Sequence, residues 1–255
     1  SKDIYENNSS YYGDLSAIII DNLPFWAELS STPSSKVSLI SEWEKKVQAI
    51  IKESINQNVT SFAGVPSWML SLLQQVMDKT GKDNISDIWK NSEVYFHGGV
   101  NFDPYRNIYK KLFPSKDFKY FEIYNASEGF FAIQDQNNSD ELLLMLDYGI
   151  FYEFIPTNSS EQEIISLADV KLNVNYSLVI TTNSGLWRYK IGDTIKFTSL
   201  NPYRIKVTGR TKHFINVFGE ELVIENAEKA LSKTCELTKA EIFEYTVGPI
   251  FMGLS

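Results

Sequence analysis

Apolar residues recur at helical spacing in SEWEKKVQAIIKESIN, Ser41 to Asn56, where Trp43, Val47, Ile50, Ile51 and Ile55 fall on one face. The pattern predicts an amphipathic helix, and Ser41 with Glu44 has the spacing of a capping box. Asn58 to Val65 reads as a short buried strand. A helix follows that opens at Pro66, runs through Met77 and ends at Gly81, because proline suits a first helical turn and glycine the residue past the last one. A second such unit comprises the strand-like Glu93 to His97, the glycine pair Gly98 and Gly99, a helix from about Pro104 to Leu112, and a β-rich run from Phe118 to Tyr124. Strand and helix in alternation favour an α/β layer with parallel pairing.

From Gly129 onward the period shortens. FFAIQD, ELLLML, IFYEFIPT, YSLVITT, LWRYKIGD and TIKFTS predict short antiparallel strands, separated by turn residues at Gln136 to Asp140 and Asn183 to Gly185. Asn201-Pro202 reads as a further turn. Beyond it YRIKVTG, HFINVFG, a helix near Ile224 to Ser232 and EIFEYTVGPIF read as the start of a compact unit. The expected fold class is α/β: mixed sheets flanked by helices, an antiparallel β subdomain, and the start of a small α+β C-terminal domain. A boundary is expected near Leu200, with residues 1–200 as part of a large domain and 201–255 as the hinge and the beginning of the small one. The chain opens in polar residues without an initiating Met and stops soon after a strand-like segment, so a piece of a longer chain is expected.

Composition narrows the classes. With 43% hydrophobic and 22% charged residues the chain can bury a normal globular core. One cysteine, Cys235, excludes an intrachain disulfide and favours a reducing, cytoplasmic setting. The longest apolar runs, Ala17 to Ile20 and Leu142 to Leu146, are too short to cross a membrane. A net charge of −8 argues against a nucleic-acid partner, which would need rows of lysine and arginine. The charge is uneven, however. Lys171 to Gly219 carries eight basic residues and one acid, Asp193, against 16 basic and 31 acidic residues elsewhere. That asymmetry points to a local anion site, with a set of solvated strand faces as the alternative.

GxxxxGK, GxGxxG, HExxH and GxSxG are all absent, and His97 and His213 are the only histidines, so the common NTPase, dinucleotide, zinc-protease and serine-hydrolase readings lack their parts. Three segments carry usable chemistry. YNASEG, Tyr124 to Gly129, presents an aromatic ring, the Ser127 hydroxyl and the Glu128 carboxylate where one strand ends and another begins. Such groups could pack on a planar base, bond a phosphate and ligate Mg²⁺; a plain turn with Tyr124 in the core is the alternative. LWRYKIGD ends in Asp193, an acceptor suited to two ribose hydroxyls, or else the partner of Arg188 or Lys190. TGRTKHFINVFGEELVIENAEKAL sets Arg210 and Lys212 in a short basic loop between Gly209 and Gly219, before a helix with Glu225 near its start; a phosphate site and a solvated hairpin both fit.

In their order along the chain these three segments resemble the successive nucleotide motifs of the adenylate-forming superfamily of acyl-CoA synthetases, luciferases and peptide-synthetase adenylation domains. The flanks DNLPFWAELSSTPSSKVSLISEWEKKV, VTSFAGVPSWML and VYFHGGVNFDPYR look like the bacterial branch of the auxin-responsive Gretchen Hagen amido synthetases. This resemblance implies ATP-dependent activation of a carboxylic acid as an acyl-adenylate, with Mg²⁺, then transfer to an amine such as an amino acid. An acyl- or aryl-CoA ligase and a non-catalytic nucleotide-binding fragment are the alternatives. It also implies that Tyr124, Ser127 and Glu128 are the adenine-side aromatic, the phosphate-contacting hydroxyl and the Mg²⁺-side carboxylate. Asp193 would be the ribose acid, Gly98 and Gly99 the glycine pair beside the adenine, and Arg210 and Lys212 the basic residues beyond the hinge at Leu200 to Arg204. Val65, Pro66 and Trp68 would border the acyl pocket, with core packing as the alternative for Trp68. The family's serine/threonine- and glycine-rich phosphate loop and its terminal adenylation lysine have no counterpart within residues 1 to 255.

Overall fold

The structure is a computed structural model that describes residues 5–7, 10–13, 15–137, 139–157, 163–211, 214–217, 220–240, 242 and 245. Of residues 5–7, 10–12, 214–217 and 220–226 only the backbone is described. The chain forms two compact units, one made of Ser1–Ala63, Trp68–Tyr95 and Tyr109–Phe118, the other of Gly64–Ser67, Phe96–Ile108 and Lys119–Ser255.

The first unit opens with an antiparallel hairpin, β1 (Tyr5–Asn7) and β2 (Ser10–Tyr12), and the short helices α1 (Leu15–Asp21), α2 (Phe25–Ser30) and α3 (Ser35–Ser38). The predicted amphipathic helix is α4 (Trp43–Ser54), which buries Val47, Ile50, Ile51 and Ser54. Its capping box does not form. The helix starts later than the pattern implies, with Glu42 at the N-cap and no side-chain capping bond; Glu42 instead pairs with Lys45 at 2.5 Å. The strand expected over Asn58 to Val65 contracts to β3 (Ser61–Gly64), where Phe62 alone is buried. Its ring packs against Trp89, Phe113 and Phe118 at centroid distances of 5.7, 5.1 and 6.4 Å. The indole N–H of Trp89 donates to the Ser54 carbonyl at 3.0 Å, which satisfies a polar group inside this core. Helix α5 (Pro66–Thr80) begins on the expected proline, and Gly81 follows it in the left-handed conformation, φ +64°. β4 is Val94–His97 and α6 is Arg106–Leu112; the Tyr95 and Tyr109 rings stack at 4.9 Å.

The second unit is built on antiparallel strands: β5 (Lys119–Ala126), β6 (Gly129–Ile133), β7 (Leu142–Leu144), β8 (Ile150–Pro156), β9 (Ile165–Ser166), β10 (Asn175–Thr182), β11 (Tyr189–Leu200) and β12 (Tyr203–Arg210). They lie in the order β5-β6-β7-β12-β11-β10-β8-β9. LWRYKIGD and TIKFTS, expected as two strands, contribute to a single one, β11, because Asp193 and Thr194 stay paired with Arg210 and Gly209 of β12. The turn at Asn201-Pro202 joins β11 to β12, and Arg204 and Ile205 of β12 pair in turn with Leu143 and Leu142 of β7. A last hairpin, β13 (Phe214–Val217) with β14 (Glu220–Val223), leads into α7 (Ile224–Thr238), where Glu228 accepts a bond from Asn101 Nδ2 at 3.0 Å.

One face of these strands holds the core. Ile191, Ile195 and Phe197 of β11 point inward with Phe154, Tyr176, Leu178, Phe131 and Ile205. Phe197 meets Phe154, Tyr176 and Tyr203 edge-on at 5.2 to 6.0 Å, the preferred aromatic geometry. Deleting a fully buried ring leaves a cavity as well as losing its transfer energy, so Phe197→Ala is expected to cost about 3–5 kcal/mol of stability. Equilibrium urea unfolding measures this, and a loss below about 1 kcal/mol would contradict the placement of Phe197 at the centre of the core.

Candidate functional site

Alternation along β11 puts Ile191, Asp193, Ile195 and Phe197 on one face, so an acid occupies a position that the pattern reserves for apolar residues. Asp193 is 8% exposed. A carboxylate there must be paired, since burial of an unpartnered charge is prohibitively costly. Two donors meet it. Arg210, its direct cross-strand neighbour, donates from Nε to Oδ1 at 2.7 Å, and the Tyr124 hydroxyl donates to Oδ2 at 2.8 Å. Neither Arg188 nor Lys190 serves as its ion-pair partner: Arg188 turns its guanidinium to Glu153, at 3.0 and 2.9 Å.

Local backbone features hold this arrangement. Gly192 has φ +90°, a conformation that suits glycine, and its carbonyl accepts both the Thr211 N–H at 2.7 Å and the Thr211 hydroxyl at 3.1 Å. The Thr208 hydroxyl donates to that of Thr194 at 2.9 Å. These bonds close the end of the β11–β12 hairpin around the Asp193–Arg210 pair. Tyr124 comes from β5, separated from β11 in the sheet by β6, β7 and β12. With strands about 4.8 Å apart, a flat sheet would separate β5 from β11 by on the order of 19 Å. The 2.8 Å bond therefore requires the sheet to coil around its own core. The Tyr124 ring lies inside that coil, 5.0 Å from the Phe131 ring. Burial, and next the Asp193 carboxylate, raise its phenol well above the ordinary value, so it remains a protonated donor.

The glycine pair borders the same strand. A Cβ at Gly98 would stand 2.4 Å from the backbone carbonyl oxygen of Ile123, the residue before Tyr124, so the 98 position is closed to any side chain. Gly99 has φ +83°, and its missing Cβ would touch Val65 at 3.4 Å. Gly98 thus abuts the residue before Tyr124, while Tyr124, Asp193 and Arg210 are joined by hydrogen bonds. Pro66 is buried at the first turn of α5. Trp68 is 66% exposed, so the core-packing alternative does not hold for it. Ser127 and Glu128 form the two-residue turn between β5 and β6, Ser127 exposed and Glu128 half-buried. Lys212 lies outside the described residues.

Among the described residues, four bases of the stretch turn to four different acids. Arg204, buried on β12, makes a two-pronged pair with Asp135, and Lys206 pairs with Asp140. With Arg188 on Glu153, Arg210 is the paired base that meets the Asp193 site. Sequence reasoning missed Asp135, Asp140 and Glu153, the acids that pair with three of these bases, because each lies far from its partner along the chain. It also missed the core-face position of Asp193, which the apolar alternation of β11 does carry.

Two titratable groups flank the site. Burial pushes Glu122 on β5 up to about 7, with a further upward push from Asp103. Burial, aided by the Arg106 charge, lowers His97 to about 3, and its ring stacks on Phe102 at 3.9 Å. For Glu122 the folded value lies above the unfolded 4.5, so the folded chain binds more protons between these limits and its stability falls as pH rises from about 4.5 to about 7. His97 has the opposite sign: its contribution falls as pH drops from 6.5 towards about 3. Over about pH 4.5 to 6.5 the two contributions oppose each other, so Glu122→Gln is expected to leave the His97 contribution unopposed and make stability rise more steeply with pH there. Urea melts across this range compare the two chains; parallel curves would contradict the burial of Glu122.

The fold places the chain in a class. It superposes on the solved GH3.15 acyl acid amido synthetase with a TM-score of 0.74 at 14% identity, covering 93% of this chain and 52% of that one. A 2-hydroxyisobutyryl-CoA ligase solved in its postadenylation state gives 0.56 at 15% identity, covering 74% and 40%. The chain shares its fold with these two solved enzymes.

Sequence comparison is more specific. The GH3 family N-terminal domain matches residues 2–118 and the GH3 family central domain matches residues 143–210, and the chain belongs to the GH3 family. The indole-3-acetic acid-amido synthetase GH3.3 of Arabidopsis thaliana is 26% identical over 190 residues, 68% of this chain and 29% of that protein. The probable indole-3-acetic acid-amido synthetase GH3.1 of Oryza sativa subsp. japonica is 34% identical over 84 residues, 29% and 14% respectively. The chain thus spans less than a third of the length of these relatives and about half of the solved amido synthetase.

Proposed function

We propose that this chain supplies the adenine- and ribose-binding part of an ATP-dependent acyl-acid amido synthetase that acts in the cytoplasm. The observation that carries the reading is Asp193, a carboxylate fixed on the buried face of a strand by Tyr124 and Arg210, in a member of a family whose named relatives are amido synthetases. The reaction has two steps. An oxygen of the substrate carboxylate attacks the α-phosphorus of ATP, and pyrophosphate leaves; the nitrogen of an amine, such as an amino acid, then attacks the acyl carbon, and AMP leaves.

Neither step needs a side-chain nucleophile, so catalysis rests on positioning and charge stabilisation. In this reading Asp193 accepts the ribose hydroxyls and the Gly98-Gly99 backbone borders the base. Ser127 meets a phosphate, and Arg210 and Lys212 add positive charge near the ribose and phosphates. Val65, Pro66 and Trp68 border the acid. Among the described residues no group of three or more His, Cys, Asp or Glu could hold a metal ion on its own. A single carboxylate on an accessible turn, Glu128, fits Mg²⁺ that arrives on ATP, because magnesium keeps most of its ligands as water and phosphate. Bound there, the ion would offset charge on the phosphates. The Asn201-Pro202 turn is stitched into the sheet through β11, β12 and β7, so we place any hinge of a mobile C-terminal unit beyond Arg210.

Asp193→Ala in the full-length protein is expected to weaken ATP binding by about tenfold or more, since hydrogen bonds to a charged group contribute about 1.5–3 kcal/mol. Glu128→Ala is expected chiefly to slow acyl-adenylate formation. Pyrophosphate exchange dependent on the acid reads both effects. Unchanged exchange in both variants would sink this assignment.

A further inference from the structure

The Tyr124 ring is buried against Phe131, and its hydroxyl is the one polar side-chain atom it brings to the site. That hydroxyl lies 2.8 Å from Asp193 Oδ2, while the other oxygen is taken by Arg210. The two donors differ in kind. Arg210 is at the end of β12 with its side chain 52% exposed, whereas Tyr124 sits in the middle of the core. A carboxylate has about four acceptor positions, so with these two bonds made roughly two remain for a ligand. A carboxylate held by a rigid, buried donor loses little freedom when a ligand binds; one held by an exposed side chain alone must be frozen at that moment.

We propose that Tyr124 is a positioning residue: its hydroxyl fixes the Asp193 carboxylate in the orientation from which it accepts the nucleotide's ribose hydroxyls. This inference rests on the ribose-binding reading of Asp193. It assigns to Tyr124 a role exerted through its oxygen, distinct from any contact its ring makes with a base. The interaction also ties nucleotide affinity to the coil of the sheet, because β5 and β11 come together only through that curvature.

Tyr124→Phe tests this, since it removes the oxygen and keeps the ring. Calorimetry on the full-length protein would compare ATP with 2′-deoxy-ATP and 3′-deoxy-ATP in the wild type, Tyr124→Phe, Asp193→Ala and the double variant. Freezing one extra side chain corresponds to roughly a three- to tenfold loss, which Tyr124→Phe is expected to show for ATP and to a smaller degree for the deoxy analogues, so that the preference for ribose narrows. Asp193→Ala is expected to abolish that preference, and adding Tyr124→Phe to it should change nothing further. A preference that survives in Asp193→Ala overturns the ribose reading and this inference with it. A preference lost in Asp193→Ala yet intact in Tyr124→Phe, or an equal loss for all three nucleotides in Tyr124→Phe, overturns the positioning role alone.

Discussion

A carboxylate on the core face of a strand is the constraint around which this site is organised. Asp193 interrupts the inward row of Ile191, Ile195 and Phe197, and its charge is tolerated because two donors converge on it. Each donor imposes its own structural demand. Arg210 requires the β11–β12 register that sets the two residues opposite each other, secured by the two hydrogen bonds that Thr211 donates to the Gly192 carbonyl. Tyr124 requires the sheet to coil until β5 approaches β11. Local hydrogen bonding and long-range curvature are thus read out at one pair of oxygens.

The surrounding charges are arranged so that this pair stands apart. Asp135, Asp140 and Glu153 draw Arg204, Lys206 and Arg188 away into separate ion pairs, which leaves Arg210 to the buried acid. Most of these pairs are partly exposed and add little net stability, since surface ion pairs contribute about 0–1 kcal/mol. Their effect is to distribute a basic stretch that would otherwise repel itself. Gly98 adds a steric requirement: its backbone lies against the Ile123 carbonyl so closely that no side chain fits at position 98, which sets the backbone beside the residue before Tyr124.

Much of this was legible in the sequence where the signal is local. The period of α4, the proline that opens α5 and the glycine that ends it, and the alternation of β6 to β12 all derive from neighbours a few residues apart. Short elements such as α1 to α3 offer too few turns for a period to emerge, and the capping box failed because its spacing does not say which residue starts the helix. Tyr124, Asp193 and Arg210 could each be singled out from its own segment. Their meeting could not, because the Tyr124–Asp193 bond joins residues 69 positions apart and depends on sheet curvature that no local pattern encodes. The same reason hid the partners of the basic stretch.

The central claim is that Asp193, held by Tyr124 and Arg210, receives the ribose of a nucleotide. A crystal structure of the full-length protein with AMP tests it most directly. The expected result is a ribose hydroxyl within about 3.2 Å of an Asp193 oxygen, with the Tyr124 hydroxyl still bonded to the other. AMP bound with its ribose remote from Asp193 would contradict the account.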